Sequence, residues 1–164
     1  TTAQLVMGDA LAICLMELKG FRSEDFAKFH PGGALGKKLY LRVQDLGVQN
    51  EKPAVKITQS LREVIVTMTA GRLGVTAVVN EGDQLVGIIT DGDLRRLLDQ
   101  GKSIDGLTAA DVMTKNPVTI SPDDLAVSAL DLLRKKKITQ IAVAENQQYL
   151  GIIHIHDLLR EGLL

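Results

Sequence analysis

Apolar positions recur along this chain at two periods that alternate. Leu61, Val64, Ile65 and Met68 fall on one face of a helix. Ser60, followed three residues later by Glu63, is a capping-box signature in which the hydroxyl serves the free amides of the first turn. The β-branched run Val75 to Val79, the turn Glu81-Gly82-Asp83 and the apolar run Val86 to Thr90 predict a hairpin with a buried face. Leu94, Leu97 and Leu98 mark a short helix opened by Asp91 or Gly92, and Val55 and Ile57 belong to a short strand ahead of the first helix. The predicted order is β-α-β-β-α.

The same order returns further on. Shifting the sequence on itself by 64 residues aligns Pro53 to Arg96 with Pro117 to Arg160 without a gap. The densest stretch sets Gln84, Gly87, Ile88, Ile89, Asp93, Leu94 and Arg96 on Gln148, Gly151, Ile152, Ile153, Asp157, Leu158 and Arg160. In the second copy Asp123 or Asp124 is the expected cap, Leu125, Ala129, Leu132 and Leu133 the helix face, Ile141 to Val143 and Leu150 to Ile153 the strands, and Leu158 and Leu159 the close. Two copies make a paired module rather than a solenoid.

Upstream, Thr1 to Gly20 reads as a helix with Leu11, Leu15 and Leu18 on one stripe and enough further apolar residues to predict burial on more than one side. Gly20 is a natural stop. Ser23-Glu24-Asp25 opens a short helix that ends by Phe29, because Pro31 disfavours helical geometry at His30. His30 to Leu39 then reads as a glycine-rich loop whose imidazole is a candidate acid-base group.

Composition narrows the function. The 164 residues carry 19 Lys+Arg against 20 Asp+Glu, with 3% aromatic and no Trp, which supplies neither the positive excess nor the stacking platforms that nucleic acid needs. Asp9 and Glu17 close the longest apolar run, Ala10 to Met16, so no membrane span is expected. The lone Cys14 within that run reads as a small buried hydrophobe in a reducing, cytoplasmic protein. The start at Thr1 reads as a fragment of a longer chain.

The repeat supplies the candidate binding chemistry. Gly87 permits close backbone approach, Thr90 donates or accepts at a strand end, and Asp93 can take a pair of sugar hydroxyls. The plainer reading has Asp93 cap the helix of Leu94 and Thr90 satisfy a nearby carbonyl. Arg95, Arg96 and Arg160 either hold a phosphate or form a solvated face. His154-Ile155-His156 sets two imidazoles on one strand face without a third ligand, which points to ligand contact or surface polarity and to no metal. Lys135-Lys136-Lys137 suits a helix C-terminus, and the four Met read as core filling.

Tandem β-α-β-β-α units with Gly-apolar-apolar, then a polar residue, then Asp-Leu, resemble a pair of CBS domains in an α/β fold. The resemblance implies a nucleotide ligand in the cleft between the copies. Thr90 and Asp93 match the family's Gly-x-x-Thr-x-x-Asp motif, whereas His154, His156 and Asp157 stand where the second copy loses the hydroxyl. The family's opening has its second-copy counterpart in Ala110-Asp111-Val112-Met113, while Asp45-Leu46-Gly47 departs at the Met. Thr1-Thr2-Ala3, Gly8 to Ala12, Glu24-Asp25-Phe26 and His30 to Leu39, followed by such a pair, resemble the end of the sugar isomerase domain in D-arabinose 5-phosphate isomerases. That resemblance implies residues 1-42 as the isomerase tail, 43-101 as the first CBS domain and 102-164 as the second. It implies a parent homo-oligomer, a tetramer with dimers through the CBS pair, that converts the sugar phosphate D-ribulose 5-phosphate with His30 among its catalytic groups and without a cofactor. The fragment alone is expected to be inactive. Its expected regulator is a nucleotide-sugar such as CMP-Kdo; the alternatives are an adenine nucleotide or a purely structural dimerisation role.

Overall fold

The computed structural model describes residues 1–46, 51–101 and 103–163. These form two compact units, Thr1–Leu41 and Arg42–Leu164. Gly47, where the first copy departs from the family's opening, lies outside the described residues, as do Lys102 and Leu164 at the ends of the second copy's expected range.

The first unit holds α1 (Thr2–Leu18), α2 (Ser23–Phe29) and α3 (Ala34–Tyr40). Gly20, at φ +60°, takes the left-handed conformation expected after a helix end. Asp25 accepts from the Arg22 amide at 3.1 Å and from Lys28 Nζ at 3.0 Å, fixing the first turn of α2. Four expectations change here. No residue of α1 is buried, because a helix apolar all round needs neighbours on every side and two short helices do not enclose it. Cys14 is therefore exposed. Met7 and Met16 are exposed as well, so the core-filling role holds for Met68, with Met113 partly buried. The glycine-rich stretch is a loop only from His30 to Gly33; from Ala34 it is helix α3. Gly36 is what permits this, since a Cβ there would meet the carbonyl oxygens of Pro31 and His30.

The second unit runs α4 (Val43–Leu46), β1 (Ala54–Lys56), α5 (Leu61–Gly71), β2 (Val75–Val79), β3 (Leu85–Thr90), α6 (Asp91–Asp99), α7 (Ala109–Val112), β4 (Thr114–Lys115), β5 (Thr119–Ile120), α8 (Ala126–Lys136), β6 (Gln140–Glu145), β7 (Gln148–His154) and α9 (Ile155–Arg160). The sheets order as β1-β2-β3-β4 and β5-β6-β7. In each, the first strand pairs parallel to the second, as a crossover helix requires, and the second pairs antiparallel to the third.

The repeat is not gapless. Helices α5 and α8 begin at Leu61 and Ala126, and β2 and β6 pair Val78 with Gly87 and Val143 with Gly151. The copies therefore run 65 apart up to the hairpin and 64 apart after it. The second copy's turn is one residue shorter, with Asn146 and Gln147 both at positive φ joining Glu145 to Gln148, the geometry of a two-residue hairpin loop. This displaces two expectations. The cap of α8 is Leu125, with no side-chain bond, while Asp124 instead accepts from the Ser121 amide at 3.1 Å. The buried face of α8 is Ala126, Ala129, Leu130 and Leu133. In the first copy Ser60 and Glu63 form the expected capping box, and Leu61, Val64 and Met68 are buried beside Val55, Val78, Ile89 and Ala109, with Ile65 packed against them.

Each copy is closed by the segment that leads into the other. The Val43 and Gln44 amides donate to Asp124 and Pro122 carbonyls, so α4 docks at the start of α8. The Ala109 amide donates to Gln59 O and Leu61 donates to Leu107 O, so the entry of α7 docks at the start of α5. Strand β4 then pairs with β3. Gln84 bridges Gln148 where the two hairpins meet. This exchange brings the carboxylate motif of one copy beside residues of the other.

Candidate ligand clefts of the paired repeat

Thr90 ends β3 and caps α6. Its hydroxyl accepts from the Asp93 amide at 3.3 Å and donates to Asp93 Oδ2 at 2.6 Å, while Oδ2 also accepts from the Thr90 amide at 2.8 Å. The capping reading is thus realised. The other oxygen, Oδ1, takes Arg96 at 2.6 Å and Thr114 Oγ1 at 3.5 Å. Gly87 is needed for this meeting: a Cβ there would lie 2.6 Å from Met113 Sδ. Arg95 is exposed and is not among these contacts.

The second motif is built alike with different groups. Asp157, whose side chain is 3% exposed, accepts from the His154 amide at 2.8 Å and pairs with Arg160. That bond turns the chain, so β7 ends at His154 and α9 begins at Ile155. His154 and His156 therefore do not share a strand face. Instead the His156 amide donates to His154 Nδ1 at 3.1 Å, and the rings stack with centroids 4.6 Å apart. Burial, aided by the charge of His156 and opposed by Asp157, lowers the His154 pKa from its ordinary value.

These second-copy residues line a cavity of about 370 Å³ together with Arg72, Gly74 and Asp91 of the first copy and Gln140 of β6. The structure thus gathers His154, His156, Asp157 and Arg160 at one cleft and leaves Thr90, Asp93 and Arg96 at another place. Arg72, Asp91 and Gln140 were not legible beforehand. Arg72 reaches the cleft because it ends α5 in the left-handed conformation, at φ 55°, a conformation not expected of an arginine. Gly74, at φ +64°, makes room for Asp91, whose Oδ2 would stand 2.7 Å from a Cβ there. Gln140 Nε2 donates to Leu73 O at 3.0 Å and ties the two copies together.

A second cavity, of about 510 Å³, opens between α4 and the β6–β7 hairpin, with Val43, Gln44, Lys52, Val143, Glu145 and Gly151 in its wall. No sequence pattern marked it, because its wall comes from five separate segments. His30, in the first unit, caps α2 with its ring 4.7 Å from Phe26 and is exposed. Among the described residues no group of three His, Cys, Asp or Glu is placed to hold a metal ion, and no helix is long and apolar enough to cross a membrane.

The CBS domain family matches residues 43–100 and 109–163. The chain belongs to the CBS domain family. Its CBS pair shares its fold with the CBS domain of a membrane protein from Sphaerobacter thermophilus, at TM-score 0.66 and 26% identity over 87% of this chain and 98% of that one. The CBS protein PAE2072 from Pyrobaculum aerophilum, solved in complex with AMP, aligns at TM-score 0.65 and 23% identity over 72% of this chain and 90% of that one. Similarity extends beyond the CBS pair. Arabinose 5-phosphate isomerase KdsD of Escherichia coli (strain K12) is 48% identical over 165 residues, covering 100% of this chain and 50% of that protein. KdsD of Pseudomonas aeruginosa is 44% identical over 166 residues, 100% of this chain and 51% of that protein. The chain spans about half the length of the curated relatives it matches.

Proposed function

We propose that this chain is the C-terminal regulatory portion of a cytoplasmic D-arabinose 5-phosphate isomerase, with the isomerase tail through residue 42 and CBS domains at 43–101 and 102–164. The observation that carries the reading is identity of 48% with an arabinose 5-phosphate isomerase along the whole chain, the His30 segment included and not the CBS pair alone. In the parent enzyme, which interconverts D-ribulose 5-phosphate and D-arabinose 5-phosphate on the route to Kdo and lipopolysaccharide, His30 serves the proton transfers of the enediol pathway. The remaining catalytic groups belong to the rest of that domain, so this portion alone does not turn over substrate. The parent assembles as a homo-oligomer, dimerising through its CBS pairs.

The regulator is a nucleotide or nucleotide-sugar such as CMP-Kdo. At the first motif Asp93 receives its sugar hydroxyls, with Thr90 beside it and Arg95 and Arg96 for a phosphate; at the second, Asp157 does so, with Arg160 for the phosphate and His154 and His156 completing the contacts. What supports this is a cleft walled from both copies and holding two arginines, two imidazoles and a buried carboxylate.

Calorimetric titration with CMP-Kdo, CMP, AMP and ATP tests the reading, on the wild type and on Asp93→Asn and Asp157→Asn. Asparagine retains an oxygen for the helix cap and removes the charge, so folding persists while ligand binding falls. Binding of CMP-Kdo that weakens at least tenfold in one variant is the expected result. Preference for AMP or ATP redirects the reading to energy sensing, and silence from all four with a folded chain overturns it in favour of a structural module.

A further inference from the structure

The cleft of about 370 Å³ has a charge balance that bears on what it takes. Arg72, from the end of α5, and Arg160, on α9, are positive; Asp91, at the start of α6, and Asp157, on α9, are negative; Gln140 of β6 is neutral. With both imidazoles neutral these charges cancel, so an anionic guest would leave the site with a net negative charge in a partly desolvated place. The two imidazoles are the groups in this wall that can change that near neutral pH.

Their geometry says how. His154 Nδ1 accepts the His156 amide at 3.1 Å, so a neutral His154 carries its proton on Nε2, and a second proton on Nδ1 would break that bond. Ring centroids 4.6 Å apart also oppose charging both rings together. His156 is the exposed ring of the pair and His154 the half-buried one. His156 is thus the ring of the pair left to carry a proton opposite an anion.

We infer that this cleft takes an anionic oxygen group of the regulator together with one proton, Arg72 supplying the standing positive charge from the first repeat and His156 the charge acquired on binding. The inference rests on the regulatory reading above and adds to it a ligand group, a binding residue and a dependence on pH. The first motif, with Thr90 and Gly92 at the corresponding places, has no such titrating pair.

The test is calorimetry from pH 5.5 to 8 in buffers of differing ionisation enthalpy. CMP offers a phosphate, Kdo a carboxylate and CMP-Kdo both, so the probes that show the linkage name the group. Wild type should take up a fraction of a proton per ligand within this range, more than the double variant does, with affinity falling as pH rises and by less than the limit of about tenfold per pH unit for one linked proton. In the double variant His154→Thr/His156→Asn this excess uptake should vanish, while Arg72→Ala should weaken binding across the whole range. The titration of the phosphate itself is common to wild type and variant and cancels in the comparison. Equal pH profiles in the two proteins overturn the inference and leave the regulatory reading standing; absence of binding by every probe overturns both. Imidazole Hε1 resonances of the wild type provide a readout that does not depend on the variants folding. A titration midpoint that moves to higher pH with CMP-Kdo supports proton uptake, and one that stays fixed refutes it.

Discussion

Replacing Gly87 with alanine should strain the contact that joins β3 to the segment entering the second repeat. The new Cβ would stand 2.6 Å from Met113 Sδ and 3.0 Å from both Met113 Cβ and Cγ. Rotating the side chain can move Sδ and Cγ away, but the contact with Cβ remains. The Met113 backbone is held by the hydrogen bond its amide donates to Ala109 O at 3.0 Å and by the pairing of Gly87 with Lys115 and Ile88 with Thr114. Overpacking of this kind costs about 1–3 kcal/mol, and the gain from replacing a strand glycine offsets roughly 0.5–1 kcal/mol of it. The net loss expected for Gly87→Ala is about 1–2 kcal/mol. Met113→Ala alone loses a partly buried side chain, but in the double variant the clash is absent. Urea unfolding followed by circular dichroism should therefore show the double variant less destabilised than the two single changes added, by about 1–2 kcal/mol. Additivity within about 0.5 kcal/mol would refute the proposed contact.

Leu133, fully buried on α8, should cost about 2–5 kcal/mol on truncation to alanine, read by the same unfolding assay. Tyr149 is held protonated by burial, its pKa raised above the ordinary value, and donates to Pro53 O at 3.2 Å. The unfolded chain therefore loses that proton first as pH rises through about 10, and stability should fall there in wild type and not in Tyr149→Phe. His154 shifts the other way. As pH falls through about 6.5 the unfolded imidazole binds a proton before the folded one does, so stability declines with acid, and His154→Thr should flatten that slope in a pH series of melting temperatures.

How much of this was legible in the sequence follows from where the determinants lie along the chain. Ser60 and Glu63, or Val75 to Val79, act within a few residues of one another, so their spacing alone announces a capped helix and a buried strand. The one-residue register change was hidden because Gly, Ile, Ile, Asp, Leu and Arg recur so densely after the hairpin that they impose their own offset on the degenerate apolar pattern before it. Leu125 then stands where a capping side chain was sought at Asp123 or Asp124. The exposure of α1 was out of reach for another reason. A helix apolar around its circumference signals burial, and what encloses it is not written in its own residues. The cleft depended on tertiary placement: Arg72 and Gln140 belong to no local motif and meet because Gln140 reaches the Leu73 carbonyl across the copies.

The capping bonds at Asp93 and Asp157 do not exhaust what those carboxylates can do. Each uses Oδ2 for the amide at the start of its helix and Oδ1 for an arginine one turn on. The two oxygens differ in how firmly they are committed. The amide belongs to the strand end and cannot leave without unwinding the first turn. The arginines are long and largely in water, Arg96 at 68% and Arg160 at 66% side-chain exposure, whereas Asp93 and Asp157 are 11% and 3% exposed, so a guanidinium can leave only when another group takes its place at the buried carboxylate. A sugar hydroxyl arriving at Oδ1 thus displaces an arginine rather than a helix cap, and the displaced guanidinium stays within reach of a phosphate on the same ligand. The helix cap seen here is therefore compatible with the nucleotide binding proposed for the same motif. On the proposed function, the Asp and Arg that recur in both copies serve the empty and the occupied cleft alike, while the residue ahead of the helix, Thr90 in one copy and His154 in the other, differs and would let the two clefts respond to different conditions.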